Sequence, residues 1–316
     1  MRKLTCAGVL VAFLLPQTAL AWNDAGHMTA AAVAYLSLSP EVRAKVDALL
    51  RQHPAFPRFA AGLSHSAPDF GAVVFMRAAI WPDQIRSDSR FFDDTDANAT
   101  PTPLLPGFPD MKIHRPWHFI DEPFTFEGTP TAEPESPNAL TQILEFRSAL
   151  GDDSVDENIQ AYDLSWLIHL VGDIHQPLHA AARFSALHDQ GDRGGNQFRL
   201  GPPEKNLHSF WDGSLSKDNN PQRLLALAKS LLKEFKPDAG EIEIADDEQA
   251  EETVTRWIDE SATLARYVVY TVGTETAAPP NPKASSAYRS LARKIARHRI
   301  AVAGYRLGSI ISDRLE

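Results

Sequence analysis

The chain has 316 residues, with 41 acidic against 31 basic side chains and a formal net charge of −10. This acidic balance argues against a protein that holds nucleic acid or an anionic membrane through a broad basic surface. The single cysteine, Cys6, excludes an internal disulfide. Stability must therefore come from a hydrophobic core and from whatever the chain binds.

The first residues have the pattern of a secretory signal peptide. Arg2 and Lys3 supply a positive start, residues 4–15 an apolar stretch too short to span a bilayer, and residues 19–21 a small-residue cleavage site. Cleavage there would expose Trp22 and leave 29 basic and 41 acidic residues, a formal charge of −12. An uncleaved amphipathic anchor is the alternative interpretation.

Residues 1–21 are therefore predicted to be a signal peptide, and residues 22–316 a single domain of 295 residues. No other segment has the length of uninterrupted apolar sequence that a membrane span needs. We expect a monomer without a membrane anchor. Its location is predicted to be periplasmic or secreted, because the signal resembles bacterial ones but does not distinguish these two destinations.

Helical periodicity recurs along the chain. Ser39 and Pro40 form an N-cap and first-turn pair before the first apolar stripe. Each stripe is interpreted as the core-facing side of a helix. The stripes are Val42, Val46 and Leu49; Leu224, Leu227, Leu231 and Phe235; Trp257, Ser261, Leu264 and Val268; and Tyr288, Leu291, Ile295, Val302 and Tyr305.

The segments between these stripes predict loops, one central helix and little strand. Residues 91–110 and 122–138 are rich in Pro, Thr and Asp, which is typical of surface loops. Residues 159–174 are apolar on nearly all sides, as in a central buried helix. The glycine pair at 194–195 predicts a tight turn, and residues 197–200 a short hairpin arm. The predicted fold is one mostly helical, all-α domain with at most a short β-hairpin.

The sequence HLVGDIHQPLH, residues 169–179, places metal-affine side chains in an apolar run, where titratable groups are usually avoided. His169 and Asp173 are four residues apart, so on a helix they project from one face and can share one metal ion. Pro177 should end or bend this helix. His179 lies just beyond it and can approach from another direction.

A second segment, NLHSFWD, repeats the spacing, because His208 and Asp212 are again four residues apart. One such pair alone also fits a core histidine beside an aspartate that caps a helix. Two pairs together with His179 favour a metal site. Imidazole ligands favour zinc over magnesium or calcium, and the absence of thiolate argues against a closed structural zinc site.

Five segments in order resemble the motif blocks of the S1/P1 nucleases, secreted phosphodiesterases with three zinc ions in an all-α fold. The segments are Trp22-Asn-Asp-Ala-Gly-His27, Trp81-Pro-Asp83-Gln-Ile-Arg86, Trp117-His118-Phe119-Ile-Asp121, residues 169–179 with Gly191-Asp-Arg-Gly-Gly-Asn196, and Asn206-Leu-His208-Ser-Phe-Trp-Asp212. Together they span most of the predicted mature chain.

The resemblance implies that nine residues hold three zinc ions. Grouped by ion, these are Asp83, His118, His169 and Asp173; Asp173 again with His27 and Trp22; and His179, His208 and Asp212. Trp22 would bind through its α-amino nitrogen and backbone carbonyl, and that amine exists only after signal cleavage. His114 and His175 are left out, because Pro116 separates His114 from His118 and His175 falls on another helix face.

The implied activity is hydrolysis of single-stranded RNA and DNA at the P–O3′ bond, giving 5′-phosphorylated products, with 3′-nucleotidase activity left open. Three Zn²⁺ and three carboxylates would give a pocket of about +3 within a protein of −12. A nucleic acid would thus be attracted by the metal ions, so the acidic surface is no objection. A water of lowered pKa would be the nucleophile.

The resemblance also implies roles in catalysis and substrate binding for six residues. Asp83 and Asp173 are counted as catalytic because they hold the metals. Arg86 would stabilise the phosphate in the transition state, although a surface ion pair explains it almost as well. Asn196 would contact substrate or merely shape its turn. Phe119 would stack on the substrate base, and Asp121 would form a hydrogen bond with the edge of that base. A position in the hydrophobic core is the alternative for Phe119.

Two other functions remain open. A zinc-dependent phospholipase C of the bacterial type also begins with a ligating tryptophan. Such enzymes, however, set the next histidine further away than His27 lies from Trp22, and carry glutamate where this chain has Asp212. A periplasmic zinc-binding protein without catalysis is the non-enzyme alternative.

Overall fold

The computed structural model describes residues 22–244, 246–272 and 281–316; the predicted signal peptide lies outside these ranges. Within them the chain is mostly helical, as predicted. The helices are α1 (Asp24–Ser37), α2 (Pro40–Leu50), α3 (Phe56–Phe59), α4 (Phe70–Ala78), α5 (Trp81–Gln84), α6 (Ala139–Ala149), α7 (Glu157–Asp173), α8 (Leu207–Asp212), α9 (Pro221–Glu234), α10 (Ala239–Ile242), α11 (Ala250–Tyr267) and α12 (Ser286–Leu315). Shorter 3-10 turns cover Ile85–Ser87, Arg115–His118, Pro177–His179 and Val269–Thr271.

Helix α7 lies at the centre of the domain, which confirms the buried helix predicted over residues 159–174. Every residue from Gln160 to Asp173 is buried. Helices α1, α2, α6 and α12 pack around it. A helix that is apolar on all sides is stable only when neighbours surround it, so this arrangement follows from the sequence pattern.

Helix α1 starts immediately after the first described residues and is fixed at that end by Asn23. The Asn23 side chain caps α1 by accepting from the backbone N–H of Gly26 at 3.2 Å, and its own amide donates to the carbonyl of Ser216 at 2.7 Å. The Asn23 backbone N–H donates to the carbonyl of Asp212 at 3.2 Å. The start of the domain is therefore held against the end of α8.

The predicted apolar stripes lie on helices α2, α9, α11 and α12, and Ser39 caps α2 by accepting from Val42 N–H at 3.2 Å. One stripe residue does not behave as predicted, because Leu291 is 44 % exposed. At this end of α12 the buried face is formed by Ala292 and Ala296. No helix in the described ranges is both long enough and apolar enough to cross a bilayer.

The hairpin arm predicted over residues 197–200 is present only as a minimal antiparallel pairing, in which Leu207 N–H donates to the carbonyl of Phe198 at 2.9 Å. Residues 197–200 contain bends and one isolated antiparallel bridge, between Arg199 and Asn206. Pro202 and Pro203 follow at once and supply no backbone donors, so a longer ladder cannot form there. The two strands of the described chain are instead β1 (Pro123–Thr125) and β2 (Ala182–Phe184), which pair in parallel with Pro123 opposite Ala182. The predicted glycine turn is present at residues 193–196.

The buried apolar residues form two clusters. The larger one surrounds α7 and includes Leu170 and Val171; the smaller one includes Leu178, Leu207 and Trp211. These residues are the chain neighbours of the predicted metal ligands on α7, on the Pro177–His179 turn and on α8. The ligands therefore lie where the two clusters meet.

His53 is a core histidine that lies close to this region. Its ring is 2 % exposed and packs edge-on against Trp81 at 4.8 Å, and its Nδ1 accepts from the N–H of Ala55 at 2.9 Å. Burial lowers the pKa of His53 from 6.5 to about 3. The native chain therefore binds fewer protons than the unfolded chain between these two values, and His53 lowers stability as the pH falls below 6.5.

Replacing His53 with phenylalanine should remove this proton linkage while keeping an aromatic ring in the core. Between pH 7 and pH 4 we expect the free energy of unfolding of the variant to fall by about 3 kcal/mol less than that of the wild type. Urea unfolding at a series of pH values measures this difference. His65→Phe is the control, because that side chain is exposed in the native state. Parallel curves for wild type and His53→Phe would contradict the prediction.

Candidate metal centre

Six local elements present the predicted ligands to one buried region. Helices α7 and α8 carry two ligands each, and α5 carries one. The Arg115–His118 and Pro177–His179 turns each end on a ligand. The last two ligands are Trp22, just before α1, and His27 on α1. These side chains are buried or nearly so. They are Trp22, His27, Asp83, His118, His169, Asp173, His179, His208 and Asp212.

The first donor set contains Asp83, His118, His169 and Asp173. His118 Nδ1 lies 2.9 Å from His169 Nε2, and each of these nitrogens lies 3.2 Å from Asp173 Oδ2. Asp83 Oδ1 lies 3.9 Å from both nitrogens. Zinc bonds of about 2.0–2.2 Å in tetrahedral geometry separate ligand atoms by a little over 3 Å, so this set is close to the size that zinc needs.

The second oxygen of Asp173 faces a different histidine. Asp173 Oδ1 lies 3.3 Å from His27 Nε2, and the His27 ring stacks on the His169 ring at 4.0 Å. A side chain at Gly172 would place its Cβ 2.8 Å from His27 Nδ1, so only glycine allows α1 and α7 to approach this closely here. The two oxygens of Asp173 thus point toward two separate groups of donors.

Trp22 lies beside this second group. It is fully buried at 0 % exposure, and the side chain folds back over the first turn of α1. A Cβ at Gly26 would lie 2.6 Å from the Trp22 Cβ, so the close contact depends on that glycine. Trp22 is therefore held in place by its packing against α1.

The third donor set contains His179, His208 and Asp212. His179 Nε2 lies 3.1 Å from His208 Nε2, and His208 Nε2 lies 3.7 Å from Asp212 Oδ1. The Gln176 side-chain amide donates to the same Asp212 oxygen at 2.8 Å. All three ligand atoms come within 4.8 Å of one another.

Backbone carbonyls fix the tautomers of three of these histidines. The Nδ1 atoms of His169, His179 and His208 lie 2.7, 2.5 and 2.7 Å from carbonyl oxygens, which can only accept, so each Nδ1 carries the proton. In the neutral ring, Nε2 then presents a lone pair to the centre. The carbonyls belong to Ala79, His118 and Gly194, respectively. Two lone pairs 3.1 Å apart, as in the third set, repel each other unless a cation lies between them.

Burial shapes the electrostatics of the centre. It lowers the pKa of His27, His118, His169 and His179 below 6.5, because the interior disfavours the charged ring. Burial also raises the pKa of the acidic ligands, to about 7 for Asp173 and well above 3.8 for Asp212. Without a bound ion, the centre thus disfavours both protonated histidine and ionised aspartate. The neutral imidazole that results is the form in which histidine binds a metal.

Several polar atoms of the centre are buried without a hydrogen bond of good geometry, although two of the oxygens lie 3.3 Å from an ion-pair partner, Asp83 Oδ1 from Arg86 and Asp173 Oδ1 from His27. They include both ring nitrogens of His27, Asp83 Oδ1 and Asp173 Oδ1. Buried polar atoms are normally satisfied, so this cluster of exceptions fits a bound ion. Imidazole and carboxylate donors without thiolate suit a borderline divalent metal such as zinc. The residues present therefore fit a metal centre.

Arg86 lies within the centre. Its guanidinium Nη1 is 3.3 Å from Asp83 Oδ1, and its side chain is only 6 % exposed. Its charge also lowers the pKa of His118. The sequence left a surface ion pair open as the alternative; the structure shows an ion pair, but a buried one among the donor sets.

Phe119 and Asp121 follow His118 on the segment that leads into β1. Phe119 is partly exposed, and the main apolar clusters do not contain it. Asp121 is enclosed, and burial raises its pKa to about 6, with Asp192 adding to the effect and Arg193 opposing it. A partly exposed ring can stack on a flat ligand, and a carboxyl group two residues further along can form a hydrogen bond with it.

Asn196 has only local contacts in the described chain. Its amide donates to the carbonyl of Arg193 at 2.9 Å, and its Oδ1 lies 3.5 Å from the amide of Asn206, which caps α8. These contacts favour the interpretation in which Asn196 shapes its own turn.

The loop that precedes Asn196 supports the third donor set. Buried Asp192 accepts from the Tyr270 hydroxyl at 2.8 Å and from Gly195 N–H at 3.1 Å. Between them, the carbonyl of Gly194 accepts from His208 Nδ1. The sequence carries no signal for the roles of Asp192, Tyr270 and Gln176, because the contacts Tyr270–Asp192 and Gln176–Asp212 join residues that are far apart along the chain.

The two histidines left out of the ligand sets are occupied elsewhere. His114 Nε2 lies 3.0 Å from Asp110 Oδ1, and its ring stacks on Trp117 at 3.4 Å. His175 donates from Nδ1 to the carbonyl of Val171 and accepts at Nε2 from Arg306, at 2.7 and 2.9 Å. Both rings support the surrounding structure.

Metal should stabilise the folded protein. Because the donors come together only in the native state, binding adds RT ln(1 + [L]/Kd) to the free energy of unfolding, about 4 kcal/mol at a thousandfold excess over Kd. We expect treatment with EDTA to lower the melting temperature, and zinc but not magnesium to restore it. Asp173→Ala is the control, since its melting temperature should respond much less to EDTA. Identical melting curves before and after verified metal removal would contradict the prediction.

Comparison with known families gives an independent result. The S1/P1 Nuclease family model matches residues 22–316, which is nearly the whole chain. No curated protein matches the chain significantly. With a match of this extent, over a helical domain that gathers histidine and aspartate donors, the chain belongs to the S1/P1 nuclease family of metal-dependent nucleases.

Proposed function

We propose that this protein is a zinc-dependent nuclease that hydrolyses single-stranded RNA and DNA at the P–O3′ bond and leaves the phosphate on the 5′ side of each product. The observation that carries the proposal is the orientation of Asp173. Its Oδ2 faces His118 and His169, while its Oδ1 faces His27. A carboxylate shared in this way is suited to bridge two metal ions.

The proposal assigns three zinc ions to the donor sets. Asp83, His118, His169 and Asp173 would hold one; His27, Asp173 and the α-amino nitrogen and carbonyl of Trp22 another; and His179, His208 and Asp212 the third. When bound, zinc ions would polarise the phosphate and lower the pKa of a water molecule. The buried donor atoms that lack a hydrogen bond of good geometry support this assignment.

The remaining chemistry would come from side chains around the donors. Arg86 is held beside Asp83 at 3.3 Å, where a guanidinium can pair with phosphate oxygens as negative charge develops on them. Phe119 offers a partly exposed ring for a base, and Asp121 a carboxyl group for the base edge. A base can stack in this way only when it is unpaired, which is why single strands are the proposed substrate.

Charge supports a nucleic-acid substrate despite the acidic chain. Three zinc ions with three aspartates would make the pocket about +3, whereas the chain from Trp22 onward has a formal charge of −12. Attraction would then be confined to the pocket. Such an enzyme acts at single sites and does not slide along duplex DNA.

Export fits the same proposal. Residues 1–21 would be removed on passage to the periplasm or the medium, and the family match begins at Trp22, the residue that this cleavage would expose. The new α-amino group would arise beside the buried Trp22 side chain. Processing would therefore complete the metal centre.

The substrate class can be tested directly against the phospholipase alternative. We expect the zinc-loaded protein to release nucleotides with 5′ phosphates from single-stranded RNA and DNA, faster than from duplex DNA, and no phosphocholine from lecithin. Mass analysis of the products gives the position of the phosphate. Release of phosphocholine without nucleotide release would overturn the proposal.

Asp83→Asn separates a nuclease from a protein that only binds zinc. Because Asp83 both contributes to a donor set and pairs with Arg86, we expect its amide variant to lose at least about 100-fold in activity on single-stranded RNA. Asp96→Asn, in an exposed loop, is the control and should keep full activity. A wild type that binds zinc but has no turnover would support the non-enzyme alternative.

The role of the terminal amine predicts a dependence on correct processing. A protein with one methionine before Trp22 should bind two zinc ions where the processed form binds three, and lose most of its activity, because an amide nitrogen is a poor ligand. Metal analysis of the two forms side by side measures the stoichiometry. Equal zinc content and equal activity would contradict the proposed chelate.

A further inference from the structure

Gln176 is a fully buried glutamine between two parts of the metal centre. It follows α7 and precedes the Pro177–His179 turn, and its exposure is 0 %. Its side-chain N–H donates to Asp212 Oδ1 at 2.8 Å, and its Oε1 accepts from the backbone N–H of Leu178 at 2.7 Å. If the amide were flipped, its NH₂ would face the Leu178 N–H and its oxygen would face the Asp212 carboxylate, so only the unflipped orientation is possible.

Each of these two bonds acts on a different residue of the third donor set. The bond to Leu178 caps the turn that ends on His179. The bond to Asp212 restrains the carboxylate oxygen that lies 3.7 Å from His208 Nε2. One side chain therefore controls the placement of donors from two segments that are more than 30 residues apart in the sequence.

The bond to Asp212 is also compatible with a nearby metal ion. Asp212 is 5 % exposed, so its oxygens depend on protein groups for hydrogen bonds. The amide of Gln176 is a neutral donor, so it holds Asp212 Oδ1 in place without repelling a metal ion.

We propose that Gln176 is a positioning residue for the third zinc ion, orienting Asp212 and His179 so that their donors meet at one point. This inference rests on the proposed trinuclear function. Residues of this kind, which bind the ligands and not the metal, typically change metal affinity about 10- to 100-fold when replaced.

A purely structural role is the competing explanation, and Gln160 provides a matched comparison. Gln160 is also buried, at 8 % exposure; its amide donates to backbone carbonyls and its Oε1 accepts from Gly151 N–H at 2.9 Å. It lies at the other end of α7, away from the donor sets. Loss of its hydrogen bonds should lower stability without changing zinc binding.

The experiment compares Gln176→Leu and Gln160→Leu with the wild type. For each protein, bound zinc is measured in buffers of fixed free zinc concentration, and the melting temperature is measured in the metal-free state. We expect the affinity of Gln176→Leu for one zinc ion to fall about 10- to 100-fold, with the other two ions retained. Gln160→Leu should keep wild-type affinity for all three zinc ions, even if its metal-free melting temperature falls as much as that of Gln176→Leu.

A second readout and a second variant complete the test. At a temperature where both metal-free variants are folded, activity of Gln176→Leu on single-stranded RNA should rise toward the wild-type level only when free zinc exceeds the concentration that saturates the wild type, whereas Gln160→Leu should reach its maximum at the wild-type zinc concentration. If Gln176→Leu does not fold, Gln176→Asn is used, because its shorter amide keeps polarity but does not reach Asp212.

The outcomes separate this inference from the proposed function. Three zinc ions bound to the variant with wild-type affinity would overturn the positioning role, while a wild type that holds three ions and cleaves RNA would leave the proposed function intact. A wild type that binds fewer than three ions would overturn both. Equal loss of zinc affinity in Gln160→Leu would show a general effect and overturn the positioning role.

Discussion

The structure depends on how it compensates three carboxylates that lie close together in its interior. Asp173 and Asp212 are buried, and the Asp83 side chain is 9 % exposed. An ionised carboxylate that leaves water costs several kcal/mol unless cations or donors replace the lost hydration. Arg86 supplies one positive charge and Gln176 one N–H, which is too little to compensate three carboxylates in their ionised form. The neutral imidazoles around them complete an environment suited to multivalent cations.

Much of this arrangement could be predicted from local sequence. The spacing of His169 and Asp173 placed both on one face of a helix, and the all-round apolar character of residues 159–174 predicted that this helix is central; α7 has both properties. Ser39 predicted the start of α2 through its side-chain cap. These features depend on residues within a few positions of each other, so the sequence pattern records them directly.

What could not be predicted depends on contacts between distant segments. The two strands pair in parallel because the segment after His118 meets the one after His179, and neither has a strong strand pattern. Leu291 remains exposed because the approach of neighbouring elements to α12 leaves that side of the helix open. The hydrogen bond from Gln176 to Asp212 likewise follows from the way α7 and α8 are brought together, which no spacing rule describes.

The hydrogen bond from His179 Nδ1 to the carbonyl of His118 has a consequence for the way such a domain can diverge. It couples the Arg115–His118 turn to the Pro177–His179 turn, so a shift of one backbone segment is transmitted to a side chain of the third donor set. A substitution that moves either turn will therefore disturb the first and the third donor sets together, and the two sets are not free to change independently.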